Sequence, residues 1–359
     1  MKTRITELFG IEHPILLSGM SWISVPDMVA AVSNAGGLGI LATGVLDADQ
    51  TREAVREIRE KTDKPFGANV SLLFPGAPQN AAVLLEEKVP VINFALGKGD
   101  WIVQAANEYS GKVVATVTNY RHAKRAQEYG CHAVIATGNE AAAHGEPPTT
   151  FCLVPSLAGG LDLPVIAAGG VGDGRGLAAA LALGAEGVAM GTRFMTTKES
   201  PLHENYKNLS LEKDIYDTLY SKNFDGLWCR VLDTPGARKA VKHGLGPIGM
   251  LKAIPNSRGI AKQVKLPYMK LFFGVLASGW KNAKGLAYMA NAFKLFRVAT
   301  EEGDTKQGVL PVGQVTGLLH DIPTVEEVIE RTVKEAEAVI GNLAAKAFSP
   351  ASQAGKEPG

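Results

Sequence analysis

The sequence predicts an α/β chain folded as a (β/α)8 TIM barrel, with a mainly helical lid domain inserted late in the chain. Three observations carry this expectation. Short apolar runs recur eight times in the first two hundred residues, and most are followed by a segment whose apolar positions repeat at three and four. The runs are continuously apolar instead of alternating, as parallel strands buried on both faces are. Glycine and small polar residues gather where the runs end, the end at which a barrel carries its functional loops. On pattern alone a doubly wound open sheet is the alternative.

In order, the runs are PILLSGM (14–20), GLGIL (37–41), PFGANVSL (65–72), PVINFAL (90–96), KVVATV (112–117), HAVIAT (132–137), PVIAAGG (164–170) and EGVAMG (186–191). Between them lie helical segments such as VPDMVAAVSNAGG, DADQTREAVREIREKT, NAAVLLEEK and NYRHAKRAQEYGC, several closed by glycine. After Phe194 the rhythm changes, and residues 201–300 hold helical stretches rich in Lys, Met and aromatics, with nothing that reads as a parallel strand. IPTVEEVIERTVKEAEAVIGNLAAKA then returns with glutamates early and lysine late, matching the helix dipole. The expected division is a barrel over 1–200 and 301–348, a basic insertion over 201–300 and a disordered tail over 349–359.

With 359 residues, 46% apolar and 20% charged, the chain can bury a large core and is too apolar to be disordered. Charges run through the N-terminal stretch, so it does not read as a signal peptide. No run of about 18 uncharged apolar residues follows, and a cytoplasmic protein without a membrane span is expected. The three cysteines show no CxxC pairing and the histidines no HExxH spacing, so no metal is expected. The net charge of +1 conceals an asymmetry. Residues 234–300 contain twelve Lys and Arg and no Asp or Glu, which leaves −11 on the remainder. Such a block points to an anionic partner at or near it.

Two glycine-rich strand ends, AAGGVGDGRG after the seventh run and MGTRF after the eighth, fall where barrels commonly bind phosphate. Backbone amides unshielded by Cβ atoms suit an anion there, and Gly169, Gly170, Gly191 and Thr192 would line the site. A Rossmann reading of GVGDGRG is set aside because the motif follows a late strand and lacks the acid about 20 residues on. His144, in TGNEAAAHGE just past the sixth run, would sit beside small residues that admit a flat ligand. It reads either as a general base or as an ordinary surface or capping histidine.

Together HPILLSGMSW, AGGLGIL, PFGANVSLL, GNEAAAHGE, VIAAGGVGDGRGLAAALALGAEGVAMGTRF and GQVTGLL resemble the nitronate monooxygenase family, formerly 2-nitropropane dioxygenases. Flavin-dependent enoyl-acyl-carrier-protein reductases, NADH:quinone reductases and coenzyme A-thioester-acting enzymes are related to it. The resemblance implies a barrel that binds FMN non-covalently. It places Gly19, Met20 and Ser21, then Ser71 and Ala142, against the flavin, and Ala168, Gly169, Gly170, Gly191 and Thr192 at its phosphate. His144 matches the family's catalytic histidine, and Gln314 falls where the returning segment nears the flavin. Thr116 stands where some relatives carry a lysine beside the pyrimidine, and Ala143-His144-Gly145-Glu146 departs from the usual Gly-Gly-His or Ala-Gly-His.

The resemblance implies oxidation of alkyl nitronates by O2 to a carbonyl compound and nitrite. The alternative is an NAD(P)H-dependent flavin reductase or dehydrogenase acting on an enoyl or other acyl thioester, of CoA or a carrier protein, or on a quinone. The basic block favours a phosphate-bearing ligand for that alternative, and nearby apolar helices could shelter an acyl chain. The same block could also be a membrane-surface patch. Its aromatics, Phe272, Phe273, Trp280, Tyr288, Phe293 and Phe296, read instead as the insertion's core. No nucleic-acid motif accompanies the charge, so no nucleic acid is expected. A homodimer is compatible with the sequence.

Overall fold

Eight parallel strands form one sheet: β1 (Ile15–Leu17), β2 (Gly39–Ala42), β3 (Phe66–Ser71), β4 (Val91–Ala95), β5 (Lys112–Val117), β6 (Ala133–Thr137), β7 (Val165–Ala168) and β8 (Gly187–Met190). In this computed structural model their order is β1-β8-β7-β6-β5-β4-β3-β2. The two ends meet through a parallel bridge between Leu16 and Leu38, where Leu17 N donates to Leu38 O and Leu38 N to Ile15 O, each at 3.0 Å. The sheet is therefore a closed barrel. The structure describes residues 1–74, 76–142, 144–263, 267–269, 273 and 279–348, so Ala143, Phe272 and the tail expected over 349–359 lie outside it.

Alternate strand residues face opposite ways and build two cores. Leu16, Ile40, Val91, Val114, Ile135 and Ile166 point inward and pack on Ile5, Phe9 and Ile11, whose short helix (Arg4–Phe9) and following turn plug the barrel floor. Ile15, Leu41, Val70, Ile92, Val113, Val134 and Val188 point outward beneath the helices. The helices form where the sequence supplies caps. Asp47 accepts from Gln50 N at 2.9 Å while Gln50 Oε1 accepts from Asp47 N at 3.0 Å, a capping box that opens the helix Ala48–Lys61.

The last helix, Val325–Phe348, buries Val325, Val328, Ile329, Val333 and Ala336 against the barrel. Glu335 accepts from Gly174 N at 2.7 Å, fixing it to the helix that follows β7.

One element between β8 and this helix has no counterpart in the expected pattern. β9 (Thr218–Ser221) and β10 (Cys229–Leu232) pair antiparallel as a hairpin, with Cys229 opposite Ser221 and Leu232 opposite Thr218. Strands of four residues are too short for periodicity to separate from loop. Phe224, Cys229, Val231, Ala237 and Val309 give the hairpin a small core of its own. The long helix Trp280–Thr300 lies over the barrel mouth, where Phe293 meets Trp22 and Phe74 edge-on at 5.6 and 5.2 Å between ring centroids. Among the described residues no helix is long and apolar enough to cross a membrane.

Candidate active site

A cavity of about 970 Å³ opens at the C-terminal ends of the strands, at the upper end of the range for small-molecule sites. Ile40, Ile135 and Ala189 form its apolar floor. Above them runs a polar chain across β3, β4 and β5. Asn69 Nδ2 donates to Asn93 Oδ1 at 2.6 Å, and Asn93 Nδ2 donates to Thr116 Oγ1 at 3.0 Å. Asn93 is buried and also donates to Val114 O at 3.1 Å, so its amide is saturated within the barrel. Thr116 was expected at the site; the two asparagines were not, although each interrupts an otherwise apolar run.

The structure brings the other expected residues to the same cavity, with one exception. Gly19, Met20 and Ser21 line it from β1, Ser71 from β3, and Ala142 and His144 from the loop after β6. Ala168 ends β7 and Gly169 and Gly170 follow it, while Gly191 and Thr192 follow β8. Gln314 does not line it. Its side chain turns outward to the Ile215 carbonyl at 3.5 Å, and Gly313 and Val315 face the cavity in its place. The segment's contribution is made by backbone: Gln314 N donates to Glu140 O at 2.9 Å, and Gly313 N to Thr192 Oγ1 at 3.0 Å. These bonds stitch the β6 loop to the end of β8.

Gly169 and Gly170 have φ of +106° and +76°, and a Cβ on Gly169 would come within 2.9 Å of Ala141 N. Their amides have no hydrogen-bond partner among the described residues. Free donors beside a bare backbone fit a phosphate. The neighbouring helix N-terminus does not contribute, because Asp173 accepts from Arg175 N at 3.0 Å and Gly176 N at 3.2 Å, and Glu335 takes Gly174 N. The cradle is thus the strand-end loops themselves.

His144 hangs from a loop built to hold it. A Cβ on Gly145 would overlap the Gly138 carbonyl, so only glycine lets the loop fold back there. Glu140 accepts from Thr150 N at 2.8 Å and from its hydroxyl at 3.0 Å, tying the loop to the next helix. His144 Nε2 lies 2.5 Å from Asp225 Oδ2, on the turn between β9 and β10. Asp225 is buried and was absent from the expected site, since nothing in the sequence links positions 81 residues apart.

Cys229 completes a trio whose potential ligand atoms lie within 4.8 Å of one another. Tetrahedral zinc with bonds near 2.0 Å would hold its ligands about 3.3 Å apart. The 2.5 Å separation is that of a hydrogen bond, and burial pushes the Cys229 thiol well above its ordinary range.

At the mouth stand four exposed cations, Lys98, Arg121, Arg125 and Lys222. None belongs to the acid-free block. That block contributes apolar residues, Met289, Ala292, Phe293 and Phe296, and none of its described cations lines the cavity. Arg238 and Arg297 pair instead with Asp233 and Glu301, each at 2.6 Å. An anionic partner at or near the block remains compatible with this arrangement: the block's helix forms the cavity roof, and the cations at the mouth come from the loop after β4, the helix Tyr120–Glu128 and the hairpin. Of the aromatics read as its core, Phe293 and Phe296 line the cavity, Tyr288 accepts from Leu245 N at 3.2 Å, and Phe273 is exposed.

The model of the nitronate monooxygenase family matches residues 2–82 and 74–335. The chain belongs to this family. It is accordingly a flavin-dependent oxidoreductase. Among relatives, the (3aS,4S,5R,7aS)-5-hydroxy-7a-methyl-1-oxo-octahydro-1H-indene-4-carboxyl-CoA dehydrogenase of Rhodococcus jostii is 37% identical over 96% of this chain and 98% of its own. A nitronate monooxygenase of Paraburkholderia phytofirmans is 35% identical over 64% of this chain and 76% of its own. The structure of FabK from Thermotoga maritima superposes with a TM-score of 0.82 at 37% identity, covering 96% of this chain and 99% of that one.

Proposed function

We propose that this family member is an FMN-dependent oxidoreductase acting on an acyl thioester of coenzyme A, with NADH or NADPH as its second redox partner. The observation that carries the reading is the mouth: Lys98, Arg121, Arg125 and Lys222 stand around a cavity whose roof is apolar. A CoA thioester presents several phosphate charges behind a largely uncharged arm and an acyl group, and such a mouth is complementary to it. A nitronate is one small anion and needs no such ring. The end-to-end similarity to a protein named as a carboxyl-CoA dehydrogenase supports the same choice.

FMN, when bound, supplies a reversible relay for a hydride between nicotinamide and substrate. Gly169, Gly170, Gly191 and Thr192 offer backbone amides to its phosphate. Asn69, Asn93 and Thr116 keep a polar strip at the floor, and Phe293 with Met289 excludes water from above. His144 takes or returns the proton that accompanies the hydride.

Nitronate oxidation is the second reading, favoured by His144 in this cavity and by the match to nitronate monooxygenases. Anaerobic mixing of the flavin-loaded protein in a stopped-flow cell separates the two. We expect rapid bleaching by NADH or NADPH and reoxidation by an enoyl-CoA, or bleaching by a hydroxyacyl-CoA. Rapid bleaching by an alkyl nitronate, with no response to nicotinamides or thioesters, would overturn the proposal.

A further inference from the structure

We propose that Asp225 is a positioning residue that locks His144 in one tautomer, with the proton on Nε2, and so makes Nδ1 the atom that exchanges a proton with substrate. The inference rests on the reading of His144 as the acid or base of this site. It begins with the hairpin, which is clamped to the histidine loop at three further points. Tyr220 Oη donates to Gly145 O at 2.7 Å, Arg230 Nε donates to Asn139 O at 2.9 Å, and Arg230 Nη2 donates to Asn139 Oδ1 at 2.7 Å. Tyr220 is itself held between Arg230, 5.1 Å from its ring centroid, and Trp228, stacked at 4.6 Å. The loop and the turn that carries Asp225 therefore hold a fixed separation.

Within that frame the carboxylate has one arrangement. Asp225 Oδ1 accepts from Leu227 N at 3.0 Å, which leaves Oδ2 for His144. An ionised carboxylate only accepts, so the imidazole nitrogen 2.5 Å away must carry the proton. In the neutral form of the ring Nδ1 is then the unprotonated nitrogen, and it has no hydrogen-bond partner among the described residues. His144 lines the cavity together with Glu140, Glu146 and Lys222, while Tyr220, Cys229 and Arg230 stand behind it on the hairpin. Glu140 is committed to Thr150, and Glu146 accepts from Asn119 Nδ2 at 3.1 Å, so neither competes for the ring. An imidazole fixed in this way presents an acceptor to the cavity at every encounter, without first having to rotate or change tautomer.

The arrangement makes a specific prediction for Asp225→Asn. Leu227 N needs an oxygen, so the amide would place its carbonyl at the Oδ1 position and turn its NH2 group toward His144 Nε2. The imidazole must then accept at Nε2 and carry its proton on Nδ1, the wrong form for taking a proton from substrate.

Long-range 1H–15N spectra of histidine-labelled, flavin-loaded protein read this directly, with the His144 signals assigned by their loss in His144→Ala. The expected result is the Nε2–H form in the native protein and the Nδ1–H form in Asp225→Asn, with turnover down about 100-fold or more and KM changed less than threefold. Tyr220→Phe, which loosens the clamp without touching the pair, should keep the native tautomer. A native protein with its proton on Nδ1, or an Asp225→Asn protein that keeps it on Nε2, would overturn the proposal. The spectra need no substrate, so failure of the thioester reading in the flavin-bleaching experiment would leave this test standing.

Discussion

Two sides of one cavity are built on opposite principles. The rim after β7 and β8 is backbone: Gly169 and Gly170 offer unpartnered amides, and the adjacent helix terminus is already closed by Asp173 and Glu335. The neighbouring wall, built on the loop after β6, is side chain: His144 meets Asp225, which reaches it from a hairpin 81 residues later in sequence. A rim made of backbone tolerates no added atom but loses nothing when distant side chains change. A wall made of paired side chains behaves in the reverse way. On the proposed function, cofactor retention falls to the rim and proton chemistry to the wall, so loss of the wall's side chains should leave the rim intact.

The largest effect is expected from Gly169→Ala. The new Cβ would stand 2.9 Å from Ala141 N at a φ of +106°, strained in both respects. Flavin affinity should fall 100-fold or more, roughly 3 kcal/mol, and the protein should leave gel filtration without its flavin absorbance. Retention of a full complement would show that the cradle lies elsewhere.

A smaller effect separates substrate from cofactor. Replacing Arg121 and Arg125 together by Gln should raise KM for a CoA thioester about tenfold, with the penalty shrinking as salt is added. Flavin content should not change. An equal rise for an uncharged thioester would mean that the two arginines do not read phosphate.

The smallest effect concerns thiols. Burial pushes Cys131 up to about 12 and Cys229 well above its ordinary range, whereas Cys152 is exposed. A thiol reacts as the thiolate, and a raised value leaves both buried groups protonated until the pH approaches it from below. At pH 8 a disulfide reagent should titrate one thiol in the native protein and three after unfolding. Fast loss of a second thiol would show that the hairpin core around Cys229 opens.

The same contrast governs how much could be read from the sequence. The barrel was legible because the strands are mostly apolar runs, several of them followed by glycine, and all eight expected runs contain the observed strands apart from a one-residue overhang of β2 at Ala42. The glycine rim was legible for a related reason, since a backbone site leaves a compositional trace. Asn69 and Asn93 left a trace that went unread: two amides inside apolar runs, which the register sets side by side.

Asp225 left none. It is one acid in a short turn, and only the pairing of β9 with β10 and the clamp on Asn139 and Gly145 bring it to His144. The acid-free block contributes in a different way from its charge. None of its described cations lines the cavity, and it supplies apolar residues there, among them Phe293 and Met289. Gln314 lies between two residues that line the cavity, but its side chain turns to the Ile215 carbonyl while its backbone bonds the loop after β6.

The central claim, that holding the flavin and moving the proton belong to different sides of the cavity, is tested most directly by two readings on one sample of His144→Ala. Flavin per protein and turnover should be measured together, with the native protein alongside. The account predicts unchanged flavin stoichiometry and turnover lower by a factor of about 100 or more. Unchanged turnover, or a loss of turnover matched by an equal loss of flavin, would contradict it.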